Sequence, residues 1–232
     1  MRLTVGILRH VSHAFGQMGR ARTGRAAVAL VGALTLGLPL AGCTTRQLEG
    51  ESPAYLIVES LTGANGAEPD ELSSNVDSDV ITMVSATIDG QEVLVPTFFA
   101  DPGEVSFGLA LKDPGTSASP AQPTSANFIT VNRYRVDFVR SDGRNTPGVD
   151  VPYGFDGGMT VTVSGSGVRA PLTLVRIQAK QEAPLAALRN GGPALAISTI
   201  ARVTFYGEDQ AGREVKVTGN IGVNFANWGD PE

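Results

Sequence analysis

An all-β fold, an antiparallel β-sandwich of immunoglobulin-like architecture with one short helix, is what this 232-residue sequence predicts. Three observations predict it. Apolar and polar residues alternate at period two in segment after segment, the pattern of strands with one face on a core and one in water. Gly, Pro, Asn and Asp stand at most junctions between those segments. Only residues 183–190 have the composition of a helix. Roughly eight or nine strand-like segments suit two packed sheets, with a small β-barrel as the alternative closure. The Cys…Trp…Cys spacing of true immunoglobulin domains is missing, so the expectation concerns architecture alone.

The first strand is residues 54–61, where Tyr55, Leu56, Ile57 and Val58 follow one another. Residues 62–78 are rich in Gly, Asn, Ser and acid and read as a loop. Residues 79–88 give a second strand, and Asp89-Gly90 is a hairpin signal before residues 92–95. Asp101 and Glu104 bracket Pro102-Gly103, which reads as a turn. Val105, Phe107, Leu109 and Leu111 then alternate with Ser106, Gly108, Ala110 and Lys112 as a half-buried strand. Residues 113–126 form a Pro/Ser/Thr loop without core-forming side chains. Residues 128–140 are the next strand, with Tyr134, Val136 and Phe138 on one face and Arg133, Arg135 and Asp137 on the other.

Residues 141–157 are irregular, Met159, Val161 and Val163 mark a short strand, and residues 172–180 another. The helix over 183–190 carries Pro184 in its first turn and is stopped by Gly191-Gly192. Two clean strands close the chain. Leu195, Ile197, Ala201, Val203 and Phe205 line one, and Val215, Val217, Ile221, Val223 and Phe225 the other, with a turn at 209–212.

Ahead of this domain, Arg20, Arg22 and Arg25 precede an uncharged run of about 15 residues, shorter than the ~20 that span a bilayer as a helix. The run ends at Leu40-Ala41-Gly42-Cys43, and Cys43 is the only cysteine. Basic flank, short apolar core and small residues before a cut are the layout of an export signal. With cysteine at the cut, these four residues resemble the lipobox of bacterial lipoproteins. The resemblance covers the leader only. It implies cleavage before Cys43, diacylation of Cys43 (palmitate-like chains), and acylation of the new amino terminus. Each buried CH₂ of such a chain contributes about 0.8 kcal/mol, so two or more chains hold a protein firmly to a membrane. The expected organisation is a signal peptide over 1–42, whose true start is Met18 if residues 1–17 are an over-read, a tether over 43–53, and one domain over 54–232. The expected location is the cell envelope, and the outer membrane if the host has one, since Thr44 rather than Asp follows the cysteine.

The leader holds five of the 18 basic residues and no acid, which leaves 13 bases against 23 acids in the mature part, a formal charge of −10. Phosphate binding needs a basic patch, so no nucleic-acid partner is expected. Both histidines, His10 and His13, also lie in the leader. The mature part thus lacks the residues for Ser-His-Asp or Cys-His catalysis and for histidine or cysteine metal sites. No cofactor is expected, apart from Ca²⁺ as a secondary candidate.

The loop over 140–153 is the most unusual stretch, because loops beyond about 12 residues are often functional. Asp142, Asn145 and Asp150 are oxygen ligands of the kind Ca²⁺ takes, with Asp142 and Asp150 the candidate metal ligands. Arg140 and Arg144 argue against a cation, and the preferred reading is a self-bonded loop with Arg144 paired to Asp150. Glu68, Asp70, Glu71, Asp77 and Asp79 read as solvated acid in a flexible loop. Lys180 and Lys216, nucleophiles only if desolvated, read as solvent-facing. Tyr206, Phe225 and Trp228 are the aromatics available for a sugar-stacking face, with core or strand-edge packing the preferred reading. The expectation is a non-catalytic structural or interaction module, anchored to the membrane and meeting a protein or polysaccharide partner in the envelope. The alternatives are a carboxylate-dependent hydrolase and a Ca²⁺-assisted carbohydrate-binding module, both acting on envelope polysaccharide.

Overall fold

Two sheets face each other across one apolar core in the computed structural model, which describes residues 51–190 and 194–228. The expected signal peptide over 1–42, Cys43 and most of the expected tether lie outside the described residues. The smaller sheet has three strands: β1 (Ala54–Gly63), β5 (Asp101–Leu111) and β10 (Val168–Val175), in the order β1-β5-β10. The larger has five: β2 (Asn75–Asp79), β8 (Ile129–Val139), β9 (Phe155–Val163), β11 (Ala196–Asp209) and β12 (Glu214–Ala226), in the order β2-β12-β11-β8-β9. It curls so that β12 comes alongside β1 and β9 alongside β10, between a sandwich and a barrel in form. At one such seam Gly219 lies against Val58 and Leu61, where a Cβ would stand 3.1 Å from Val58.

Alternation explains the core. Val131, Tyr134, Val136 and Phe138 of β8 and Ala201, Val203 and Phe205 of β11 point inward. They meet Val105 and Phe107 from β5 of the opposite sheet. Phe107 and Phe205 pack edge to face with centroids 4.9 Å apart, and Phe138 meets Phe225 at 5.6 Å. The Tyr134 hydroxyl accepts the Thr173 N–H at 3.0 Å, satisfying a polar group while linking the two sheets.

Several elements differ from the sequence reading. The 113–126 loop carries a two-residue pair, β6 (Gly115–Thr116) with β7 (Ser119–Pro120). Residues 79–88 are not one strand: β2 ends at Asp79, and β3 (Thr82–Ile88) begins after a break at Val80 and Ile81. β2 includes residues 75–78, which read as loop because Val76 is the only apolar residue among them. It pairs in parallel with β12, the one parallel ladder between the described strands of the large sheet. Pro102-Gly103 is not a turn but lies inside β5, flanked by β1 and β10. Residues 172–180 divide into the end of β10 and a one-turn helix, α1 (Ile177–Gln181). Residues 185–190 wind as a 3₁₀ helix, and Leu195 is 84% exposed, outside β11. The irregular stretch ends earlier than read, at Phe155, where β9 starts.

Candidate functional site

The Asp89-Gly90 hairpin forms as read, with both residues at positive φ (53° and 78°), the geometry of a type I′ turn. Its strands, β3 and β4 (Gln91–Thr97), belong to neither sheet. They make a separate ribbon of seven paired positions, from Thr82 opposite Thr97 to Ile88 opposite Gln91. Opposed residues share a face, so Val84 with Val95 and Ala86 with Val93 line one side, and Ile88 extends it. None of these five side chains is buried, and Ile88 is 54% exposed. On the other side Leu94 is 63% exposed, beside a Ser85 hydroxyl that donates to Glu92. A two-stranded hairpin is at best marginally stable alone in water. Among the described residues, the Val84, Ile88, Val93 and Leu94 side chains of this ribbon stay exposed.

The ribbon's root is polar and tightly held. It leaves β2 at Asp79 and returns to β5 at Asp101. The buried Asp79 carboxylate accepts the Thr82 hydroxyl at 2.7 Å, and the Ile81 and Trp228 N–H groups at 3.4 and 3.2 Å. Asp101 and Lys180 have no side-chain exposure, and Lys180 Nζ donates to Asp101 Oδ1 at 2.7 Å. The same oxygen accepts the Gly66 N–H at 2.8 Å, while Oδ2 accepts the Ser78 hydroxyl at 2.5 Å. Burial pushes the Asp101 carboxyl up, against the opposing pull of the Lys180 ammonium. Gly66 is held so close that a Cβ there would lie 2.4 Å from the Ala100 carbonyl oxygen. Lys180 was expected in solvent; the turn into α1 instead aims it at the core, and its carbonyl accepts the Arg189 guanidinium. Arg189 in turn stacks 4.5 Å from the Phe98 ring, just beyond the ribbon. Sequence reasoning missed this cluster because Lys180 sits between Ala179 and Gln181 in a polar context, and Asp101 beside Pro102 mimics a turn.

The acidic residues divide. Glu68, Asp70 and Glu71 are exposed, as expected. Asp77 and Asp79 instead belong to β2, where Asp77 accepts Asn224 Nδ2 at 2.9 Å across the ladder. Glu68, Glu71, Asp77 and Asp79 border a groove of about 380 Å³ with Trp228 at its edge.

In the loop over 140–153, Asp142 is the hub. Its carboxylate accepts Arg140 Nη2 at 2.6 Å and the Arg144 backbone and side-chain N–H groups at 3.1 and 3.2 Å. The Arg140 guanidinium foremost, with Arg144, holds the Asp142 carboxyl far below the usual carboxylate range. Asn145 Oδ1 accepts the Arg140 N–H, and Asp150 accepts the Thr146 N–H at 3.2 Å. The loop is therefore self-bonded, but through Arg144–Asp142 rather than the expected Arg144–Asp150 pair. Asp142 and Asp150 both spend their oxygens on the loop itself, and no group of three His, Cys, Asp or Glu suited to a metal occurs among the described residues. Against the loop lies an apolar groove of about 560 Å³, lined by Val149, Pro184, Ala187, Leu188 and Ile197 with Arg140 and Arg144 at its rim.

The three aromatics do not assemble. Phe225 is fully buried against Phe138, Tyr206 lies under the Arg133 guanidinium at 3.7 Å, and Trp228 borders the acidic groove. Lys216 is exposed, as expected, near Tyr206. Glu104, on β5, pairs with Arg169 at 3.2 Å, away from the buried Asp101. No known protein family, no curated protein and no solved structure matches the chain. No helix among the described residues is long and apolar enough to cross a membrane.

Proposed function

We propose that this chain is an acyl-anchored envelope lipoprotein whose domain is a non-catalytic interaction module, with the β3–β4 ribbon as the element that meets a protein partner. The observation that carries the reading is the polarity of β1 and β5. The chain enters β1 at Ala54, opposite Leu111, and leaves it at Gly63, opposite Gly103. The tether from Cys43 therefore joins one end of the small sheet, where Glu51 pairs with Lys112 at 2.8 Å. The ribbon roots at the other end, beside Asp101. A ten-residue strand puts roughly 30 Å between the two ends. This separation supports the reading: the chain arriving from Cys43 joins the domain at the end of β1 opposite the ribbon's root.

A protein partner suits this element better than a polysaccharide. The ribbon offers a row of aliphatic side chains, Val84, Ala86, Ile88, Val93 and Val95, which suits docking against an apolar protein surface. The scattered aromatics give a sugar ring nothing to stack on at one place. Two variants test the reading in the native host. Cys43→Ser should lose acyl labelling and leave the membrane fraction. Val84→Asp with Val93→Asp should keep label, membrane location and melting temperature, yet reproduce the phenotype of deleting the gene. Full function in the ribbon variant would remove the ribbon from the account, and an unlabelled wild-type protein would remove the anchor.

A further inference from the structure

The Asp101–Lys180 pair combines features that an ordinary ion pair does not need. Both side chains are without exposure, and they come from positions 79 residues apart. A buried ion pair gives up so much hydration that apolar residues of similar volume often serve stability as well or better. The surroundings of this pair are also chemically ordered. Nζ is 2.7 Å from Oδ1, the Gly66 N–H points at that same oxygen, and the Ser78 hydroxyl points at the other.

We propose that Lys180 and Asp101 form a self-modification site, condensing into an intramolecular isopeptide bond that ties α1 to the start of β5. In water an ammonium and a carboxylate are inert to each other. Out of water the charged forms are disfavoured, and one proton transfer gives a neutral amine and a neutral acid. Burial already works in that direction on Asp101.

The Nζ lone pair then attacks Cγ, and negative charge develops on Oδ2, which the Ser78 hydroxyl faces. A second proton from the nitrogen joins the one already moved to Oδ1, the oxygen in contact with Nζ, and the C–Oδ1 bond breaks. An Nζ–Cγ amide with one N–H remains and one water leaves. Nothing is oxidised or reduced. Holding the two groups in contact supplies the equivalent of a very high local concentration, about 10⁵–10⁸ M for well-oriented intramolecular pairs. The product is a covalent brace in a domain whose sequence has no cysteine after Cys43.

Tryptic digestion of the denatured full chain, purified from membranes of its host, tests this directly. Trypsin does not cut after an acylated lysine. The linked protein should yield residues 47–112 joined to residues 177–189, at the sum of the two peptide masses less one water. Lys180→Arg keeps the positive charge without the nucleophile and should release residues 47–112 alone. The wild-type digest decides the matter even if that variant does not fold. Residues 47–112 and 177–180 recovered as separate peptides at their sequence masses would overturn the proposal.

Discussion

Asp209 shows how one side chain can close a strand and set acid sensitivity. It ends β11 with its carboxylate accepting the Ala211 N–H at 2.8 Å and the Arg213 N–H at 3.0 Å. Burial works against its ionisation, but the Arg213 and Ala211 N–H groups, the Ser52 hydroxyl and the Arg213 charge together outweigh it, and the carboxyl is held below its ordinary value. A depressed value in the folded state means that Asp209 contributes stability fully above its unfolded value of about 3.9, and loses it as pH falls through the folded value. Asp209→Asn should therefore lower the urea midpoint at neutral pH, with the gap to wild type shrinking as pH falls below the unfolded carboxyl's value of about 3.9. A gap that stays constant across that range would contradict the assignment. Phe205 sets the apolar counterpart. It is fully buried against Phe107, so Phe205→Ala should cost about 3–5 kcal/mol in denaturant unfolding.

Each element was legible in proportion to how evenly its two faces differ. β8, β11 and β12 read clearly because one face is core and the other is Arg, Thr, Asn and Lys. The Asp89-Gly90 turn read clearly because its chemistry is local. β2 was not legible, since a short strand paired on one side needs few apolar residues. Neither was the position of the hairpin outside both sheets, because alternation marks a strand without saying which sheet receives it. Among the site residues, the self-bonding of the 140–153 loop was readable from its mixed charges, but the partner of Arg144 was not, as Asp142 lies nearer along the chain. A double-mutant cycle should find coupling between Arg140 and Asp142 and none between Arg144 and Asp150. The ribbon carries its own expectation. Val93 is 37% exposed and outside the apolar core cluster, so Val93→Asp should change domain stability by no more than about 0.5 kcal/mol.

At the scale of the whole domain, strand polarity separates the chain's entry at Ala54 from the ribbon root at Asp101, and the buried Asp101–Lys180 cluster fixes that root to β2, α1 and the 64–74 loop. In the proposed reading, the chain arriving from an acylated Cys43 meets the domain at the first of these ends and the partner meets it at the second. The most direct test of this arrangement is photocross-linking in living cells, with a photoreactive aromatic residue placed at Ile88 on the ribbon or at Tyr55 by the tether. These positions are 54% and 56% exposed, so access does not distinguish them. The account predicts a discrete protein adduct from position 88 that is absent from position 55 and is lost with Val84→Asp and Val93→Asp. Adducts from position 55 alone, or none from position 88, would contradict it.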